Sequence, residues 1–232
     1  MTKKLKKTIA FIGMMGAGKT AVGKVVASKL GVPFLDADTE IEKAANMSIQ
    51  EIFIRDGEEF FREREAQVIL RLMKGSPTIL STGGGAFIQR ANRQAINLLG
   101  VSLWLDVEVD LLWSRVKNKD TRPLLKSLNP YETLKKLHLE RQHIYKKADI
   151  SVKASSRYTV EDMAQKVIDS LQSRMIIIKV NMARILLVSS GRIPSKPGKP
   201  SNCFHKDTII HTKNGDVKIY ELAPGDVLFN ND

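Results

Sequence analysis

The chain has 232 residues, 43% hydrophobic and 27% charged, enough to bury one full core and a small appendage. Its 37 Lys and Arg against 25 Asp and Glu give a formal charge of +12, but apart from Lys3-Lys4-Lys6-Lys7, which reads as a frayed basic terminus, the basic residues are scattered. That balance suits anionic small substrates and argues against a nucleic-acid partner. The single cysteine, Cys203, excludes an internal disulfide framework and predicts a reducing compartment, the cytoplasm. No signal-peptide pattern opens the chain, and its longest other apolar stretch, 175–188, is short and interrupted by Lys179, Asn181 and Arg184, so no membrane span is expected.

Thr8 to Ile12 is a short β-branched apolar run of the kind a buried parallel strand needs, and Ala21 to Leu30 carries apolar residues at helical spacing. Between them, Gly13-Met14-Met15-Gly16-Ala17-Gly18-Lys19-Thr20 fits the phosphate-loop pattern G-x-x-x-x-G-K-[ST]. Gly13, Gly16 and Gly18 let the backbone turn its N–H groups toward an anion, and a helix N-terminus adds partial positive charge there. Gly16, Ala17, Gly18, Lys19, Thr20 and Ala21 are thus the expected contacts of a nucleoside triphosphate, with Lys19 on the β- and γ-phosphates and Thr20 on Mg²⁺.

Further along, Pro33-Phe34-Leu35 leads to Asp36-Ala37-Asp38, followed by helices through Met73 that break near Asn46 and Asp56-Gly57. Thr78 to Ser81 reads as a strand running into Gly83-Gly84-Gly85, Val101 to Leu105 as another, Val109 to Val116 as a helix, Asp149 to Val152 as the fifth strand and Val160 to Leu171 as its following helix. Strands separated by helices predict a parallel sheet covered on both faces, with ligands beyond the strand C-termini, where the phosphate loop, the aspartates and the glycine triplet all fall.

Asp36 and Asp38, two apart on extended backbone, are expected to face opposite ways and to divide the work: one supports Mg²⁺ through water, the other accepts the proton of a substrate hydroxyl. A helix N-cap before Thr39 is the plainer use for one of them. Arg62 and Glu65 share a helix face at i,i+3, which alone would be a solvated ion pair. Arg115 to Asn129, holding Lys117, Lys119, Arg122 and Pro123-Leu124-Leu125, is basic and aperiodic; it reads as a lid bringing an arginine to the transferring phosphoryl group, or as an ordinary surface loop.

In this order, phosphate loop, Asp-x-Asp, Phe61-Arg62-x-x-Glu65, Gly-Gly-Gly, Arg122-Pro-Leu-Leu and Glu140-Arg141-x-x-x-Tyr145, the chain resembles the shikimate kinases over residues 7–173. The resemblance implies an α/β P-loop NTPase fold like that of nucleoside monophosphate kinases, a five-stranded parallel sheet with helices on both faces. It implies ATP-dependent phosphorylation of the shikimate 3-hydroxyl. Asp38 would be the base, Arg62 and Arg141 would grip the carboxylate, and Gly83, Gly84 and Gly85 would line the substrate site. Arg122 would be the lid arginine, with Lys19 also catalytic; Asp36 would support the metal, and Arg157 matches a position near the adenine. Asp106 is expected to begin a helix and not to ligate metal. A monomer is expected. A gluconate-kinase-like enzyme and a silent nucleotide-binding module are the alternatives.

The kinase unit is expected over 1–174, with 175–202 a connector whose apolar 176–190 is strand-like. Residues 203–232 form a short C-terminal β appendage of two strands with a hairpin signal at Asn214-Gly215. The appendage resembles the opening of Hedgehog/intein (Hint) domains, in which a first cysteine, here Cys203, attacks the preceding carbonyl. The sequence stops at Asp232, before the later Hint motifs, so this copy is expected to be inert by itself.

Overall fold

A computed structural model describes residues 2–118, 129–174, 176–180, 209–212 and 215–218. Five parallel strands form the central sheet in the order β3-β4-β2-β5-β6: β2 (Thr8–Ile12), β3 (Phe34–Asp36), β4 (Ile79–Ser81), β5 (Gly100–Asp106) and β6 (Ile150–Lys153). β2 occupies the middle, and its Ile9, Ala10, Phe11 and Ile12 have no exposed surface, as an apolar run flanked by strands on both sides requires.

The chain leaves β2 in one direction and returns in the other, so right-handed crossovers place the helices on both faces. α1 (Lys19–Leu30) packs on α7 (Val160–Ser173), and α3 (Ile49–Met73) packs on α4 (Arg90–Leu99). α5 (Val109–Val116) and α6 (Pro130–Tyr145) pack together between β5 and β6 in the sequence. α2 (Ala37–Ala45) and α3 enclose a satellite core of Ile41, Ile52, Phe61 and Val68, separate from the main one. Among the described residues no helix is long and apolar enough to cross a membrane.

The expected helix breaks are present. Asn46 ends α2 in the left-handed region at φ 50°, and Gly57 interrupts α3 at φ 83°, ψ 176°. α4 and α6 are not among the expected elements, although α4 is amphipathic, burying Asn92 and Ile96. Asp106 is a correction: it is the last residue of β5, its carbonyl accepting Ala154 N–H at 2.7 Å, and α5 starts beyond Glu108. The basic terminus is another. Thr2–Leu5 (β1) is not frayed but pairs with Ile177–Val180 (β7), and Lys6 N–H continues the contact to Ile176 O at 3.2 Å.

One compact unit comprises 3–178; a second comprises 1–2 with 179–232. In the second, Ile209–Thr212 (β8) and Gly215–Lys218 (β9) pair antiparallel with Thr212 opposite Gly215, the register of a two-residue hairpin. Cys203 lies outside the described residues.

Gly100 opens β5 where a side chain has no room: a Cβ there would overlap Met73 Cε and stand 2.6 Å from Thr8 O on the paired strand. Gly100→Ala is expected to cost about 1–3 kcal/mol through this overpacking, measured as a lower urea midpoint at unchanged m-value.

Candidate active site

The phosphate loop follows β2 and turns on three glycines with positive φ, Gly13 (134°), Gly16 (80°) and Gly18 (91°). Two are also wedged: a Cβ on Gly13 would lie 2.9 Å from Leu105 O, and one on Gly16 would lie 2.6 Å from Val116 Cγ1. Gly18 is the N-cap of α1 and no side chain caps that helix, which leaves its first amide groups facing the loop's concavity. Lys19 is buried, its Nζ donating to Gly13 O at 2.9 Å and Met14 O at 3.0 Å, so its ammonium is held where anionic oxygens would sit. Arg115, on α5, reaches the same loop with Nη1 3.3 Å from Gly16 O; burial pushes its pKa down.

At the loop's mouth Thr20 Oγ1 donates to Asp36 Oδ2 at 3.0 Å and lies 3.2 Å from Ser81 Oγ. β3 and β4 place Asp36 beside Ser81 in register. Two hydroxyls and one carboxylate are hard oxygen donors suited to Mg²⁺, which takes few protein ligands and fills its shell with phosphates and water. Among the described residues no cluster of three or more His, Cys, Asp or Glu could hold a metal by itself.

Asp36 and Asp38 do not lie together on extended backbone as expected. Asp36 Oδ1 captures Asp38 N–H at 3.1 Å and starts α2 at Ala37, so Asp38 stands in the helix's first turn and not on extended backbone. Asp38 faces Gly83, where a Cβ would lie 2.9 Å from its Oδ1. The two following glycines repeat the relation: a Cβ on Gly84 would lie 3.4 Å from Met15 N and 3.9 Å from Arg141 Nη1, and one on Gly85 would lie 2.9 Å from both terminal nitrogens of Arg62.

Arg62 donates from Nε and Nη2 to Glu58 Oε1 at 3.2 and 3.0 Å, and from Nη1 to Glu65 Oε2 at 2.9 Å. Three of its five N–H groups are engaged, leaving one on each terminal nitrogen for a further carboxylate. Burial opposes its charge, but the two carboxylates outweigh it and raise the pKa. Glu65 is 1% exposed, so the pair is not the solvated one that i,i+3 spacing suggests. Burial raises its pKa, Arg62 opposes, and Asp38 adds a smaller upward push.

A cavity of about 490 Å³ is lined among others by Lys19, Thr20, Asp38, Gly83, Gly84 and Arg115, whereas the expected substrate contacts Arg62, Gly85 and Arg141 do not line it. A larger open groove, about 1000 Å³, runs along α5, β6 and α7 and shares with it only Ala154 and Tyr158; it holds none of the expected site residues. Arg157 is exposed and lines neither, although its neighbour Tyr158 lines both. Arg122 lies outside the described residues. Sequence reasoning missed Ser81, Arg115 and Tyr158 as lining residues. Ser81 ends a strand at the sheet's C-terminal edge, where position alone flags it; the other two carry no comparable signal.

Because the folded chain holds the Glu65 proton to higher pH than the unfolded chain does, this group's contribution to stability declines as pH rises from the ordinary carboxylate range through the raised value. Glu65→Gln is expected to flatten that part of a melting-temperature-against-pH profile; an unaltered slope would refute the shift.

The shikimate kinase family model matches residues 15–172. A shikimate kinase of Ruegeria pomeroyi is 52% identical over 177 residues, 76% of this chain and 91% of that protein. That of Cereibacter sphaeroides is 54% identical over 178 residues, 77% and 89% of the two chains. Among solved structures, shikimate kinase from Acinetobacter baumannii in complex with shikimate superposes with a TM-score of 0.69 at 36% identity, over 72% of this chain and 94% of that one. With the phosphate loop, Asp36, Asp38, Gly83 and Gly84 in one crevice and relatives this similar along nearly their whole length, the chain belongs to the shikimate kinase family.

Proposed function

We propose that the chain transfers the γ-phosphoryl group of ATP to the 3-hydroxyl of shikimate, giving ADP and shikimate 3-phosphate on the way to chorismate and the aromatic amino acids. The observation that carries this is the convergence of Asp38, Arg62 and Arg141 on the glycine triplet, within a few ångströms of the phosphate loop. A small anion with several hydroxyls calls for guanidinium groups on its carboxylate and a carboxylate on its hydroxyls. Together with the side-chain-free floor of the site, that set favours a carboxylated ring over gluconate.

In this reading Arg62 and Arg141 grip the substrate carboxylate, and Gly84 lets the ring approach the backbone. Asp38 accepts the 3-hydroxyl proton as the oxygen attacks the γ-phosphorus in line with the departing ADP oxygen. Lys19 and the loop amides neutralise charge on the phosphates, and Arg122 joins them from the lid. Thr20 and Asp36, the latter through water, would hold Mg²⁺, whose chemistry there is charge neutralisation at the β- and γ-phosphates. Arg115 borders the nucleotide side of the crevice, with Arg157 kept as an adenine contact. The enzyme works as a monomer in the cytoplasm, the compartment being supported by the single cysteine.

The tail is read as non-catalytic, with 203–232 a Hint-like opening segment; the hairpin register of β8 and β9 supports a β appendage, and Cys203 as nucleophile rests on the motif alone. The kinase unit is read over 1–174 with 175–202 as connector.

ADP release with MgATP is expected with shikimate and not with gluconate or without acceptor, and a chain ended at Val180 should keep kcat. Lys19→Ala should abolish turnover, and Asp38→Asn should lower kcat by roughly 100-fold or more at unchanged ATP KM. Gly85→Ala should displace Arg62 and raise shikimate KM by about tenfold. Gluconate turnover, or full activity in Asp38→Asn, would overturn the reading.

A further inference from the structure

Tyr145 closes α6 one helical turn beyond Arg141, so the two side chains lie on one face. It is 1% exposed and among the largest fully buried side chains, yet it brings a hydroxyl into the core, which is costly without partners. Those partners come from two different loops. The hydroxyl donates to Gly84 O at 2.6 Å, in the triplet, and lies 3.7 Å from Met14 Sδ, in the phosphate loop. Gly84 itself touches the phosphate loop, since a Cβ there would meet Met15 N at 3.4 Å and Gly13 O at 3.7 Å before Arg141 Nη1 at 3.9 Å. The ring rests at a tilt on Trp104, 6.1 Å between centroids, and Trp104 also lies against Gly13. Burial raises the phenol pKa, and the positive charge of Arg141 works against the rise.

Resting on the reading above, we infer that Tyr145 is a positioning residue that couples the two substrate sites: its hydroxyl ties Gly84, against which Arg141 lies, to the phosphate loop. Occupation of the loop by nucleotide then steadies the carboxylate grip on shikimate, and the reverse holds by linkage. A phenylalanine would fill the same volume and satisfy the same packing. The hydroxyl is what joins the loops, and its loss removes the donor to half-buried Gly84 O.

Tyr145→Phe tests this, with wild-type turnover on shikimate and gluconate measured beside it to judge the assignment itself. Losing one buried hydrogen bond corresponds to roughly a 5- to 30-fold rise in shikimate KM. The kcat should stay within about twofold, and the ATP KM measured at saturating shikimate should rise by the factor by which the coupling is lost. Calorimetry should show that ADP tightens shikimate binding to the wild type and no longer does so in the variant. In an Arg141→Ala background the same substitution should add less than about twofold, since the effect passes through Arg141. An unchanged shikimate KM, a wild type in which ADP leaves shikimate affinity unaltered, or a full additional loss in the Arg141→Ala background would each overturn the inference. If Tyr145→Phe does not fold, ¹³Cζ-tyrosine NMR of the wild type decides. The Tyr145 resonance should move on adding shikimate alone and on adding ADP alone, and indifference to both refutes the coupling.

Discussion

Three charged side chains, from α2, α3 and α6, need to meet around one small molecule, and the backbone they meet on has to lack side chains of its own. Gly83, Gly84 and Gly85 satisfy that constraint one residue each, against Asp38, Arg141 and Arg62. Their φ values are unremarkable, so the demand is for room and not for a special turn. The segment is also held still from behind: Asn92 Nδ2 donates to Ala86 O at 3.0 Å, and Arg93 Nη1 donates to Phe87 O at 2.8 Å and to Ile88 O. α4 therefore serves the site without touching it, by fixing the turn that follows the triplet.

The phosphate loop uses its glycines for a different reason. There the conformations are left-handed as well as crowded, and crowding comes from β5 and α5 instead of from charged groups. The two glycine-rich segments lie against one another at Gly84 and Met15, so the anion cradle and the substrate floor share a wall. Electrostatics follow the same division. Lys19 donates to two loop carbonyls, whereas Arg62 is held between a buried and an exposed carboxylate, with the buried one carrying a desolvation cost.

How much of this was legible in the sequence depended on how local each signal was. Thr8–Ile12, the phosphate loop, the breaks at Asn46 and Gly57 and the last helix are set by neighbouring residues, and they stand where pattern placed them. The helix start at Ala37 was misjudged because the cap is made by the side chain of the residue just before it, Asp36, which turns Asp38 from strand to helix. Glu65 looked solvated because i,i+3 spacing says nothing about what covers the face; the glycine turn against Asp38 and Arg62 does the covering. β1 escaped notice because its partner lies some 170 residues on and its own composition is basic. Arg115 and Tyr158 are site residues only by virtue of where α5 and the turn before α7 are packed, a tertiary fact with no spacing to announce it.

The break at Gly57 follows another logic again. A Cβ built there meets nothing within 4 Å, so the position is open to any volume and closed only to the usual hand of the chain. At φ 83° and ψ 176° it sits where a mirror-image residue would be relaxed in extended backbone. A D-alanine placed there by chemical synthesis would keep the interruption and stiffen it, whereas L-alanine would favour one continuous helix. Handedness at a single α-carbon thus sets the angle at which the Ile52 segment and the segment carrying Phe61, Arg62 and Glu65 both meet the α2 satellite core.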